Sequence, residues 1–138
     1  MKRKFKTKET ITPLVRVYHP DGTLRREYTC INGSKEGLFR QWHANGVLKL
    51  EYNYKNDQMH GLCKVWTWYG VLTHEMNCKN GNRHGSFKVW YPDGVLTQDC
   101  NYKDNKLHGH YYAWHHVTEE LKEHLYYENG KLIEEFPV

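Results

Sequence analysis

Three kinds of side chain recur in this 138-residue sequence at an interval that could carry chemistry. His60, His84 and His108 are spaced by 24, and Glu27, Glu51, Glu75 and Asp99 keep the same interval. Imidazoles suggest a metal site and carboxylate pairs suggest acid–base work of the glycosidase kind. Both readings meet a physical objection. If the spacing reflects strand pairs, equivalent atoms two strands apart lie about 9.6 Å from each other, so no two of these histidines reach one ion. A catalytic acid and base differ in environment, whereas these acids repeat in register with Arg16, Arg40, Lys64 and Lys88. The expectation is therefore structural: loop histidines bonding the neighbouring turn, and acids offsetting a basic column through cross-strand pairs. His108, His110, His115 and His116 are denser, but their spacing is no recognised zinc pattern. No catalytic, metal or cofactor residue is assigned.

Other chemistry is sparse. The only serines are Ser34 and Ser86, and neither sits in a G-x-S-x-G elbow. No phosphate-cradling G-x-x-x-x-G-K-[ST] run occurs. Cys30, Cys63, Cys78 and Cys100 stand in columns that other units fill with Tyr, Phe or Met, so they read as small core residues. Cys30 and Cys78, two units apart, would be about 19 Å apart, beyond disulfide reach. Reduced thiols fit an intracellular, cytoplasmic protein. These features point away from an enzyme and from a small-molecule substrate.

The elements that position these columns follow from the repeat. Gly37, Gly61, Gly85 and Gly109 are 24 apart, as are Gly22, Gly46, Gly70 and Gly94. Trp42, Trp66, Trp90 and Trp114 keep the interval, with Tyr18 in the matching place of the first unit, and Leu24, Leu48, Leu72 and Leu96 run alongside. The units span 13–36, 37–60, 61–84, 85–108 and 109–133, with a tail at 134–138. Each reads as two strands rich in aromatic and β-branched residues, joined by Pro-Asp-Gly or Asn-Gly turns. Outer loops carry Asn32-Gly33, Asn80-Gly81, Asp104-Asn105 and Asn129-Gly130. The pattern loosens around Glu119–His124, the one place where a helix is admissible. Five hairpins in series predict an all-β, elongated single antiparallel meander of about ten strands, on the order of 45–50 Å long.

Turn register has two solutions. A three-residue loop with Gly at a bulge sets Trp42 opposite Leu48, Trp66 opposite Leu72 and Trp90 opposite Leu96. A two-residue loop shifts pairing by one and sets Lys64 opposite Glu75. The first buries more apolar area and is preferred. The Trp–Leu comb then forms the core of the repeat, or Trp42, Trp66, Trp90, Trp114 and Tyr18 offer an aromatic strip to a protein partner.

The unit G-x-x-x-x-W-x-x-x-G-x-L-x-x-E-x-N-Y resembles a MORN-type repeat, in the variant found in bacterial antitoxin-like proteins and in proteins of large DNA viruses. The resemblance covers about residues 14–133. It implies an elongated antiparallel sheet and protein–protein scaffolding, with a structural role in a large assembly such as a virion. Antitoxin-like neutralisation of a protein, or peripheral binding of anionic membrane lipid, are the alternatives it implies. The usual Y-x-G opening of the repeat is missing here.

Charge divides unevenly. Formal net charge is +4, but Lys2, Arg3, Lys4, Lys6 and Lys8 supply five cations within the first eight residues, so the rest of the chain sums to −1. A body that tracked phosphates would itself be basic. Nucleic acid or anionic lipid is thus expected only through the arm at residues 1–12, and other proteins through the body. Self-association through the sheet ends is a further expectation, because an unpaired terminal strand can accept a neighbour's. No apolar run approaches the ~18 residues of a membrane span.

Overall fold

A computed structural model describes residues 13–138. Twelve strands form one antiparallel sheet. They are β1 (Leu14–Tyr18), β2 (Leu24–Ile31), β3 (Ser34–Trp42), β4 (Leu48–Lys55), β5 (Gln58–Met59), β6 (Gly61–Trp66), β7 (Leu72–Lys79), β8 (Asn82–Trp90), β9 (Leu96–Lys103), β10 (Lys106–Trp114), β11 (Leu121–Glu128) and β12 (Lys131–Phe136). Each strand pairs with the next in sequence, except that β4 pairs with both the short β5 and β6, which do not pair with each other. The all-β meander is as expected, with two differences. Residues 119–124 contain no helix: a turn leads into β11 at Leu121. The unit boundary expected at 133 falls inside β12, whose pairing with β11 runs to Phe136, so 134–138 is not a separate tail.

The two edges of the ribbon use different turns. On the inner edge, Gly22 donates its N–H to the His19 carbonyl (2.9 Å) while His19 donates to Thr23 (2.8 Å). The same pair of bonds recurs at His43–Val47, Thr67–Val71 and Tyr91–Val95. This is the three-residue loop with a left-handed glycine. Asp21, Asn45 and Asp93 each accept the N–H two residues on. Where Tyr69 replaces that acid or amide, the Thr67 hydroxyl accepts from Tyr69 and Val71 instead. On the outer edge the loops have two residues, both at positive φ, such as Asn32 (49°) and Gly33 (81°) or Asp104 (49°) and Asn105 (66°). These mirror-image turns match the twist of the strands.

Both solutions for the register occur, in every internal hairpin. Trp42 faces Leu48, Trp66 faces Leu72 and Trp90 faces Leu96, as preferred; yet Lys64 also faces Glu75. A bulge between Val65 and Trp66 shifts the ladder by one residue, so the Trp–Leu pair by the turn and the ion pair further along both form. A second irregularity lies beside each repeat glycine. In β8, His84, Gly85 and Ser86 stand between Arg83, which pairs with Cys78, and Phe87, which pairs with Met76, so three residues oppose Asn77 alone.

The tightest packing is not at the Trp–Leu comb, which corrects the expectation that this comb forms the repeat core. The four column tryptophans are half-buried and Tyr18 is 53% exposed. Among the described residues the buried hydrophobic side chains are Cys63, Cys78 and Cys100. Cys63 faces Met76, and Cys100 lies between Phe87 and Tyr111 in the ladder. Around them aromatic rings meet edge-on or stacked, as in Phe39–Tyr54 (5.9 Å), Phe87–Tyr102 (5.4 Å) and Tyr28–Phe39 (5.5 Å). A single-layer sheet has no second layer to enclose large rings, so only small side chains beneath their neighbours are fully covered.

Candidate functional site: two unlike sheet faces

Strand alternation separates two faces. One carries the thiols and the rings just described. The other carries a row of charges that crosses the sheet at one height: Arg16, Glu27, Arg40, Glu51, Lys64, Glu75, Lys88 and Asp99, each opposite the next. Signs alternate and cancel. Within hairpins the pairs close to Arg16 Nε–Glu27 Oε2 2.7 Å, Arg40 Nε–Glu51 Oε2 2.7 Å, Lys64 Nζ–Glu75 Oε2 3.3 Å and Lys88 Nζ–Asp99 Oδ2 3.2 Å. All are partly exposed, so each contributes a few tenths of a kcal/mol. The acidic column is thereby accounted for by scaffold pairing. Each carboxylate closes on the cation of its own hairpin.

The histidine column also has a local task. His60, His84 and His108 accept, through Nδ1, the N–H of Asn80 (3.4 Å), Asp104 (3.5 Å) and Asn129 (3.3 Å). Each acceptor thus reaches the first left-handed residue of the next outer turn. In the first unit Glu36 stands one interval before His60 and accepts the Asn56 N–H at 2.6 Å. Backbone bonds reinforce the stacking: Asp57, Gly81, Asn105 and Gly130 donate to Lys35, Met59, Arg83 and Leu107. The column therefore joins consecutive repeats.

The cysteines are held as thiols. Burial pushes Cys63 up to about 11 and raises Cys78 and Cys100 as well. Burial likewise raises Tyr52, Tyr54, Tyr102 and Tyr111 on the same face. Arg83 lies 4.2 Å over the Tyr102 ring and Lys35 5.2 Å over Tyr54.

The aromatic strip is only partly covered. Trp42, Trp66, Trp90 and Trp114 follow the inner edge and are joined there by Trp68 and by Tyr69, which is 88% exposed. A hollow of about 240 Å³ lies between Val95, Leu96, Trp114 and Glu119. The inner turns bridge from unit to unit: Asn45 Nδ2 donates to the Trp68 carbonyl (3.0 Å), and His116 Nε2 sits 2.6 Å from Asp93 Oδ2. Lys2, Arg3, Lys4, Lys6 and Lys8 lie outside the described residues.

The charge row ends in rings. Asp99 faces Tyr112, Tyr112 faces His124, and His124 faces Phe136. These stack at 4.4 Å and 4.2 Å. Counting by 24 from Asp99 reaches Glu123, but the last inner loop is longer, so His124 takes the row and Glu123 turns to the other face opposite Ala113. Nothing in the spacing alone brings His124 to His110, because the pairing depends on where that extra residue is absorbed.

Hairpins of constant length, one sheet deep and linked turn to turn, define a β-hairpin repeat protein of the solenoid class. The model of the MORN repeat variant matches residues 35–56, 83–104 and 121–138. The chain thus carries MORN-type repeats at three places along its length. The first two matches cover hairpins closed by inner turns, β3–β4 and β8–β9, whereas the third covers β11–β12, closed by an outer turn. No curated protein matches this sequence.

Proposed function

We propose that the chain is a non-enzymatic scaffold that binds other proteins along its inner edge, as one component of a larger cytoplasmic assembly. MORN repeats generally mediate protein or membrane-lipid interactions. The observation that supports a protein partner is the inner edge, where exposed Trp68 and Tyr69 join the half-buried Trp column beside a self-cancelling charge row. Large rings with a polar handle are favoured anchors in protein interfaces, and a neutral row of paired charges suits matched polar groups better than a polyanion. Lipid binding is the second family reading, and it would call on the basic arm.

A photo-crosslinker at Tyr18 tests the reading in the native source. The expected result is a discrete protein adduct from Tyr18 and none from Glu123, which stands on the opposite face. A single stoichiometric adduct would favour neutralisation of one protein; several would favour a multi-component assembly. The reading fails if Tyr18 yields no protein adduct while the full chain, but not residues 9–138, floats with anionic vesicles at low salt.

A further inference from the structure

We propose that His110 and His124 form a two-imidazole chelate for one divalent transition metal, zinc or copper(II), on the last inner-turn hairpin. His110 is on β10 and His124 on β11, at diagonal positions: His110 faces Tyr126 and Tyr112 faces His124. Their nitrogens, Nδ1 of His110 and Nε2 of His124, are 3.0 Å apart.

That separation is the bite of a metal pair. Two nitrogens bound at about 2.0–2.1 Å lie roughly 3.3 Å apart on a tetrahedral ion and about 2.9 Å apart at adjacent corners of a square plane. The spacing suits either geometry, and turning each ring so that its nitrogen aims at a shared ion rather than at its partner completes the pair. The rings are also held in place. His124 is stacked between Tyr112 and Phe136, with interplanar angles of 22° and 20°. His110 rests against Tyr126 at 5.0 Å. Such support lowers the ordering cost of binding. In the empty pair one imidazole donates to the other. On binding, the donor ring changes tautomer: the contacting nitrogen loses its proton to solvent and the other ring nitrogen takes one up, so a neutral pair binds with no net release. Among the described residues no third His, Cys, Asp or Glu joins the pair, so water completes the coordination.

Two of the other candidate histidines are committed elsewhere: His108 accepts from Asn129, and His116 pairs with Asp93. A metal here ties β10 to β11 where the alternating charge row has stopped. It acts as a staple for the end of the repeat array.

Titration of the full chain with Zn²⁺ and, separately, Cu²⁺ tests the site by calorimetry and tryptophan fluorescence. One equivalent, removable by EDTA, is expected. His110→Ala and His124→Ala each weaken binding at least tenfold, while His74→Ala, on exposed β7, leaves it unchanged. Copper quenches Trp114, which stacks on Tyr112 at 6.0 Å, and the quenched component disappears in Trp114→Phe. His110→Asn serves if the alanine variant loses its β-sheet circular dichroism. Absence of a one-equivalent site, or wild-type affinity in folded His110 and His124 variants, overturns the proposal.

Discussion

Cys63, Cys78 and Cys100 show how a repeat column can change residue type without changing its task. They stand where sister units carry rings, and burial holds all three thiols above the ordinary range. The thiolate is the reactive form, so these three should be inert in the folded chain. Alkylation at pH 8 is expected to modify Cys30 first, since it is only half-buried, and the other three only after unfolding. Mass spectrometry of the time course checks this; comparable early rates at all four sites would contradict it. The columns made these cysteines legible as core residues. Their being better covered than the tryptophans was not legible, because coverage depends on how neighbouring side chains lean across a single layer.

At the scale of the element, the turns carry the specification. Gly85 and Gly46 both sit at positive φ, 103° and 84°, but only at Gly85 would a Cβ meet a neighbour, 3.4 Å from Asn77 Cβ. Gly46→Ala should cost about 1 kcal/mol for the left-handed backbone, and Gly85→Ala more, about 2 kcal/mol, by urea denaturation. Equal costs would mean that the Asn77 contact carries no energy. The last inner loop is the converse case. Glu119 adopts a φ of 56° and donates to the His115 carbonyl at 3.0 Å, where the other inner turns place glycine. Glu119→Gly should therefore stabilise the chain by about 1 kcal/mol, read as a higher urea midpoint. The hairpins and turn chemistry could be read from Pro-Asp-Gly and Asn-Gly alone, since those residues tolerate the required backbone. The bulge that lets Trp66 face Leu72 while Lys64 faces Glu75 could not, because it resolves a competition between two pairings that each look satisfactory.

For the whole molecule, the face that holds the thiols and tyrosines sets the response to alkali. Folding raises the pKa of Cys63, Cys78, Cys100, Tyr52, Tyr54, Tyr102 and Tyr111, in each case first through burial. Stability from such groups is complete below their unfolded values and is lost as pH rises through the folded ones. For Cys63 that window runs from 9.0 to about 11. Melting temperature should fall steadily across it, and a flat profile to pH 11 would contradict the assignment. The ends of the sheet set the symmetry of self-association. Along the antiparallel path β1 and β12 point the same way, so head-to-tail stacking would require a parallel pair. Two copies of β12 related by a two-fold axis pair antiparallel, as every other strand does. Self-association through β12 alone should then stop at dimers, and sedimentation showing open filaments would exclude this geometry.

By itself the sequence determined the repeat length, the hairpins, the all-β meander and the pairing of its acid and base columns. Each of these depends on residues close in the chain or on a strict period, and a period survives translation into space. Tertiary structure alone decided that thiols rather than tryptophans are best covered, and that His124 meets His110. Those outcomes rest on one-residue phase shifts, at bulges and at the longer loop before β11. In a strand a shift of one residue moves a side chain to the opposite face.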